Sequence, residues 1–153
     1  MRYIQRVLQP GEAVIHEARL HLLIFLPAVF LLLIALALLI ASAQFTGDIS
    51  LGFKAAAAMF GLLAFASWAR AAIRRATTEL AVTDRRVIYK SGLLARHTLE
   101  MNRSKVESVD VDQTLLARLL GFGTITVRGT GGSLEPIRLV SDPLSFRSHI
   151  TAG

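Results

Sequence analysis

The chain of 153 residues contains no cysteine. That absence excludes disulfide scaffolds, thiolate metal sites, iron–sulfur clusters and cysteine nucleophiles. Charged residues are also scarce: they make up 18% of the chain, against roughly 25% of an average soluble domain. Hydrophobic residues supply 53%, and the length allows one ordinary domain or a small domain with a membrane anchor. A multidomain enzyme is therefore excluded.

The longest run without a charge extends from Leu22 to Ile40 and reads LLIFLPAVFLLLIALALLI. At about 1.5 Å of rise per residue, a helix of this length crosses the roughly 30 Å hydrocarbon core of a bilayer. We therefore predict a membrane-spanning helix over residues 22–42. A cleaved signal peptide is the competing interpretation, because Ala41-Ser42-Ala43 resembles a cleavage site. We favour the anchor, since the run is longer than the apolar part of a usual signal peptide and acidic residues interrupt the basic leader.

A second, alanine-rich run extends from Leu51 to Ile73, and Lys54 and Arg70 near its ends can reach the lipid headgroups. One face of this run carries small residues that allow a close approach to the first helix: Ala57, Gly61 and Ala64. We predict a second membrane helix over about 51–73, so that residues 22–76 form a helical hairpin. Residues 1–21 remain as a juxtamembrane segment whose conformation, strand or helix, the sequence leaves open.

Half of the net charge of +6 comes from residues 22–76, chiefly from Arg70, Arg74 and Arg75. Arginines flank the two runs on the side of the chain termini: Arg2, Arg6, Arg19, Arg70, Arg74 and Arg75. On the side of the connecting loop, the only basic residue is Lys54, near the start of the second run. By the positive-inside rule, a protein with this pattern crosses the membrane twice and keeps both termini in the cytoplasm. The basic charge thus indicates membrane topology, and we expect no nucleic-acid binding.

Residues 77–153 have the charged fraction of an ordinary soluble domain, and we predict that they fold in water. Short stretches of alternating apolar residues, separated by turn signals, indicate an antiparallel meander. They are centred on Leu80 and Val82, Val87 and Tyr89, Leu99 and Met101, Val109 and Val111, Ile125 and Val127, and Ile137 and Leu139. Two helices interrupt the strands: a leucine-rich helix over 113–120 and a terminal helix that Asp142 caps and Pro143 begins. The fold class is α+β.

The stretch from Thr78 to Gly132 resembles the bacterial pleckstrin-homology-like (PH-like) membrane proteins of the YdbS/YdbT type. Its most telling part is ESVDVDQTLLARLLGFG, Glu107 to Gly123, in which a strand, a leucine-rich helix and a Gly-aromatic-Gly exit follow in order. With LQPGE at Leu8 to Glu12 and the two-helix anchor, the resemblance covers nearly the whole chain. It implies a PH-like antiparallel split β-barrel with a C-terminal capping helix over residues 77–153, at the cytoplasmic face of a bacterial inner membrane.

Catalysis and metal binding require converging acids, bases or ligands, and the sequence offers few. The histidines are dispersed, without the i, i+4 spacing of a helical zinc motif: His16, His21, His97 and His149. Asp110 and Asp112 share the solvent face of a predicted strand. The segment from Gly129 to Gly132 lies between two strands and indicates a hairpin turn, not a phosphate-binding loop. We therefore expect no catalytic residues, no metal site and no cofactor.

Two sets of residues are candidates for contacts. Basic residues near the inner leaflet can attract anionic membrane lipids: Arg74, Arg75, Arg85, Arg86 and Lys90. The leucine-rich helix is a candidate partner surface: Leu115, Leu116, Arg118, Leu119 and Phe122. We expect its leucines to pack against the core, with an interfacial membrane contact or a partner surface as the alternatives.

The chain has the features of a domain fold and lacks a catalytic constellation. We therefore predict a non-enzymatic interaction module that binds a protein partner or a second copy of itself. An inner-leaflet sensor of anionic lipid is the alternative.

Overall fold

The computed structural model describes residues 3–93, 97–130, 132–133 and 135–151. The chain divides into two compact units. One is Leu22–Ile73, and the other is assembled from Met1–His21 and Arg74–Gly153. The sequence predicts a separate juxtamembrane segment over residues 1–21, whereas in the structure this segment is folded into the C-terminal unit.

The unit at Leu22–Ile73 consists of two long helices. A 3-10 turn at Leu22–Phe25 leads into α2 at Leu26–Ser42, and Pro27 lies in the first helical turn, where its missing N–H needs no partner. Helix α3 spans Gly47–Thr77, and both helices are long and apolar enough to cross a membrane. The second helix extends beyond the predicted 51–73 at both ends. Asp48 in its first turn and Arg74 and Arg75 in its last turn suit the helix dipole.

Small residues form the buried faces of α2 and α3 and recur every seven positions: Ala28, Ala35 and Ser42 in α2, and Ser50, Ala57, Ala64 and Ala71 in α3. The Ser50 hydroxyl donates to the backbone oxygen of Ser42 at 3.0 Å. Large apolar side chains such as Phe30 and Leu62 are exposed. In the most apolar stretch of each helix, only 11% of the residues of the first and 17% of those of the second are buried. A core helix of a water-soluble protein, in contrast, is mostly buried. Small residues inside and large ones outside are typical of helices that pack in lipid.

In its described residues, the other unit contains two antiparallel four-stranded sheets, three short α-helices and a 3-10 turn at Arg103–Lys105. The first sheet has the order β1 (Val14–Ala18), β2 (Glu79–Thr83), β3 (Arg86–Ser91), β4 (His97–Asn102). The second contains β5 (Val106–Asp112), β6 (Phe122–Gly129), β7 (Gly132–Ser133) and β8 (Ile137–Ser141), and β6 pairs with the other three. The helices are α1 (Tyr3–Val7), α4 (Leu115–Leu120) and α5 (Pro143–Thr151).

Each predicted strand and both predicted helices of the C-terminal half are present, but the leucine-rich helix begins at Leu115 and not at 113, and the strands are divided between two sheets. Gly129 of β6 pairs with Gly132 of β7, as the predicted hairpin requires, and Gly131 lies outside the described residues.

Helix α5 begins at Pro143, and the Asp142 carboxylate accepts the backbone N–H of Ser145 at 3.3 Å. Phe146 and Ile150 of α5 are buried, and the helix contacts β1 and β2 of one sheet and β5 and β6 of the other. This helix therefore closes the core between the sheets.

Candidate interaction surfaces

Helix α1 lies on the outer face of the first sheet and is anchored at both ends. Ile4 is buried against Ala81 and Ile88. At the N-terminal end, the Glu79 carboxylate accepts the backbone N–H groups of Tyr3 and Ile4, each at 3.1 Å. At the C-terminal end, the Arg86 guanidinium donates to the backbone oxygen of Val7 at 2.6 Å. Both charges have the sign that the helix dipole favours.

The buried carboxylate of Glu12 is fully occupied by internal donors. Arg86 donates through Nε to Glu12 Oε1 at 2.9 Å and through Nη2 to Oε2 at 2.8 Å. The Thr83 hydroxyl and the Gln9 backbone N–H also donate to it, at 2.7 and 2.8 Å. The hydrogen bond from Arg86 is the largest influence and, despite burial, lowers the pKa of Glu12 to about 2. Glu12 is thus held ionised as a structural group.

The five basic residues predicted to contact lipid headgroups differ in how far they are engaged by partners within the domain. Arg86 is committed to Glu12 and Glu100. Lys90 Nζ lies 3.6 Å from Glu79 Oε1 and also lies above the Tyr3 ring. Arg75 donates through Nε to the backbone oxygen of Leu20 at 3.0 Å. The exposed members of the set are Arg74 and Arg85. Arg85 Nε lies 3.8 Å from Asp84 Oδ2.

The leucine-rich helix exposes its leucines on the surface of the domain. The Thr114 hydroxyl caps α4 by accepting the N–H of Ala117, and Gly121 ends it with a φ of +73°. Only Ala117 is buried, while the leucines are 88%, 69%, 82% and 49% exposed: Leu115, Leu116, Leu119 and Leu120, the leucine ridge. The expectation of core packing is wrong, because the small residue of the helix faces the domain. Arg118 is exposed, and Phe122 is half-buried.

A cleft of about 440 Å³ opens beside β4, which is the outer strand of the first sheet in the described part of the chain. Leu99 and Met101 contribute half-buried apolar surface to it. The opposite wall includes Gly129, where a Cβ atom would lie only 2.7 Å from the Met101 sulfur. Among the described residues, the cleft therefore combines an apolar floor with a strand edge that has no pairing partner. The alternation of apolar residues along the sequence did not indicate this cleft.

The remaining acidic residues and histidines of the described ranges form separate, local contacts. Within the described ranges, no group of three or more His, Asp or Glu side chains has metal-binding geometry. Asp110 lies 3.0 Å from Arg128 in an exposed ion pair. The rings of His16 and His149, distant in sequence, stack at 4.5 Å. Burial lowers the pKa of His16, and the nearby His149 adds to that effect, so the neutral form of His16 is favoured.

A protein-family model described as Bacterial PH domain matches residues 20–152. The chain belongs to the bacterial PH domain family. The match includes both apolar helices and both sheets, apart from β1, which precedes it together with α1. No curated protein and no solved structure matches the chain.

Proposed function

We propose that this bacterial PH domain protein is a membrane-anchored interaction module and not an enzyme. Helices α2 and α3 span the bacterial inner membrane, both termini are cytoplasmic, and the PH-like domain binds a protein partner or a second copy along β4. The exposed apolar exterior of α2 and α3 supports the anchoring. The arginines that flank these helices on the side of the chain termini support the orientation.

The observation that carries the binding proposal is the open edge of β4. An outer strand presents backbone N–H and C=O groups that an extended peptide can pair with, and side-chain pockets beside the strand then select its residues. The cleft offers such a pocket, with Leu99 and Met101 as its floor and Glu100 and Lys105 among its lining residues. An extended segment with an apolar side chain that reaches this floor fits both features.

The alternative, a sensor of anionic lipid, receives less support. Its five basic residues would have to face one membrane surface together. Arg86 and Lys90 instead pair with Glu12 and Glu79 on the side of the sheet that α1 covers.

Site-specific photocrosslinking in living bacteria tests the proposal. A benzoylphenylalanine placed at Thr98, an exposed position of β4, should give a discrete crosslinked product that Leu99→Asp abolishes. The matched control is the same probe at Arg128, which is exposed on β6, a strand paired on both sides. The mass of the product distinguishes a second copy from another protein. Equal products from both positions, or none from Thr98, would overturn binding at this edge.

A further inference from the structure

The leucine ridge lies at the end of the domain from which the chain continues into the apolar helices. Leu20 pairs with Val140 in an isolated bridge, and the His21 backbone N–H donates to the Leu139 oxygen at 2.6 Å. Arg75, on the segment that returns to the domain, reaches the backbone oxygen of Leu20. Both connections of the domain therefore leave from one place, beside β8.

Helix α4 ends at that same place. The Phe122 ring, two residues after Leu120, lies 5.4 Å from the His21 ring. The backbone oxygen of Gly121 accepts the N–H of Asp142 at 2.9 Å, which ties the end of α4 to the end of β8. One residue after His21, the chain begins the run of apolar residues. The helix with the most exposed leucines of the domain thus lies next to the junction with the membrane segment.

We propose that α4 inserts the leucine ridge into the interfacial region of the bilayer. This inference rests on the membrane anchoring proposed above and names a second contact of the domain with the same membrane. The anchor determines the occupant, because the apolar run begins directly after His21 and brings lipid to this end of the domain, whereas a protein partner would have to reach it.

The shape of the ridge also fits lipid. At about 100° per residue, the four leucines occupy an arc of roughly 140° that projects away from the domain, since Ala117 alone is buried. Such a convex ridge matches a fluid hydrocarbon surface, which accepts apolar side chains from any direction. Arg118 lies at the flank of this arc, where an arginine can remain at headgroup level while leucines enter the acyl boundary.

Fluorescence quenching of the full chain in nanodiscs tests the insertion, and the absence of native cysteine makes single labelling clean. The discs contain one chain each, in phosphatidylcholine with phosphatidylglycerol, so that neither a second copy nor another protein can cover the ridge. An NBD fluorophore is attached to Leu119→Cys or, as the control, to Glu107→Cys on an exposed position of β5. Nitroxide-labelled lipids report contact with the bilayer, and iodide reports contact with water.

Insertion predicts that nitroxide lipids quench the probe at position 119 several-fold more than at position 107, and that iodide quenches it less. Adding Leu115→Gln and Leu116→Gln should reduce the quenching of the probe at position 119 by nitroxide-labelled lipids. Both positions are exposed, so these substitutions leave the core undisturbed. Quenching at position 119 should persist in phosphatidylcholine alone. Quenching that requires phosphatidylglycerol would overturn apolar insertion in favour of headgroup attraction.

Equal quenching by iodide at both positions would also overturn the insertion and would leave the ridge as a surface for a protein. A chain that fails to co-purify with the discs would contradict the membrane anchoring itself. The two failures are therefore distinguishable.

Discussion

Glu12 and Arg86 form a two-point ion pair in which each carboxylate oxygen accepts one guanidinium N–H, at 2.9 and 2.8 Å. The pair joins the loop before β1 to β3, and the same guanidinium reaches α1 through Val7. A single arginine on β3 thus contacts the loop before β1, helix α1 and, through Glu100, strand β4. The Glu12 side chain is completely buried, and that of Arg86 is 12% exposed.

Replacing one member of this pair should destabilise the domain strongly. Glu12→Gln keeps the size of the side chain but leaves the Arg86 charge without its main partner, and breaking a buried pair typically costs about 3–5 kcal/mol. Thermal unfolding of the purified chain in detergent should show a large decrease in melting temperature. The control is Asp110→Asn in the exposed pair with Arg128, for which the expected loss is about 0–1 kcal/mol. Equal effects from the two variants would contradict a structural role for the buried pair.

The same carboxylate should make the stability of the domain depend on acid. The pKa of Glu12 falls from 4.5 to about 2 on folding. Its contribution is therefore fully present above pH 4.5 and is lost as the pH falls from 4.5 towards 2. At about 1.4 kcal/mol per pKa unit, the loss amounts to about 3 kcal/mol.

Denaturant unfolding of the full chain between pH 7 and pH 3 measures this dependence. Wild type should lose stability steeply below pH 4.5, and Glu12→Gln should show a flatter profile. Parallel profiles for the two proteins would show that other carboxylates cause the acid sensitivity.

Residues 1–21 and 74–153 should fold without the apolar helices. Leu20 and Arg75 are in hydrogen-bond contact, so a short glycine-serine linker between His21 and Arg74 can replace residues 22–73. The resulting soluble chain should give a dispersed NMR spectrum and a cooperative melt. The comparison is residues 77–153 alone, which the sequence predicts to fold in water but which lack α1 and β1, so that β2 keeps only β3 as a neighbour. We expect this fragment not to fold. A folded fragment, or an unfolded linked chain, would contradict the division of the protein described above.

The residues show why part of this architecture could be predicted from sequence and part could not. Alternating apolar residues such as Val109 and Val111 belong to strands with one buried face, and that pattern is local. β1 has no such alternation, since the consecutive residues His16 and Glu17 are both half-buried at the edge of the sheet. Helix α1 is only five residues long, and its N-terminal hydrogen-bond partner, Glu79, is 75 residues away.

The candidate surfaces, too, could be predicted from the sequence only in part. The leucine helix is evident from sequence, but the side on which it contacts the domain depends on the position of Ala117, which only the folded structure shows. Basic residues at Arg86 and Lys90 suggest a lipid contact until their acidic partners, Glu12 and Glu79, are located on other segments. Contacts between residues that are far apart in the sequence therefore decide which basic side chains remain available to bind a lipid.

Labelling of single cysteines in intact bacteria tests the central claim, a PH-like domain anchored at the cytoplasmic face, most directly. Thr46→Cys lies in the loop between α2 and α3, and Arg138→Cys is exposed on β8. A maleimide that cannot cross the inner membrane should label position 46 in intact cells and position 138 only after lysis. Labelling of position 138 in intact cells, with position 46 protected, would contradict the account.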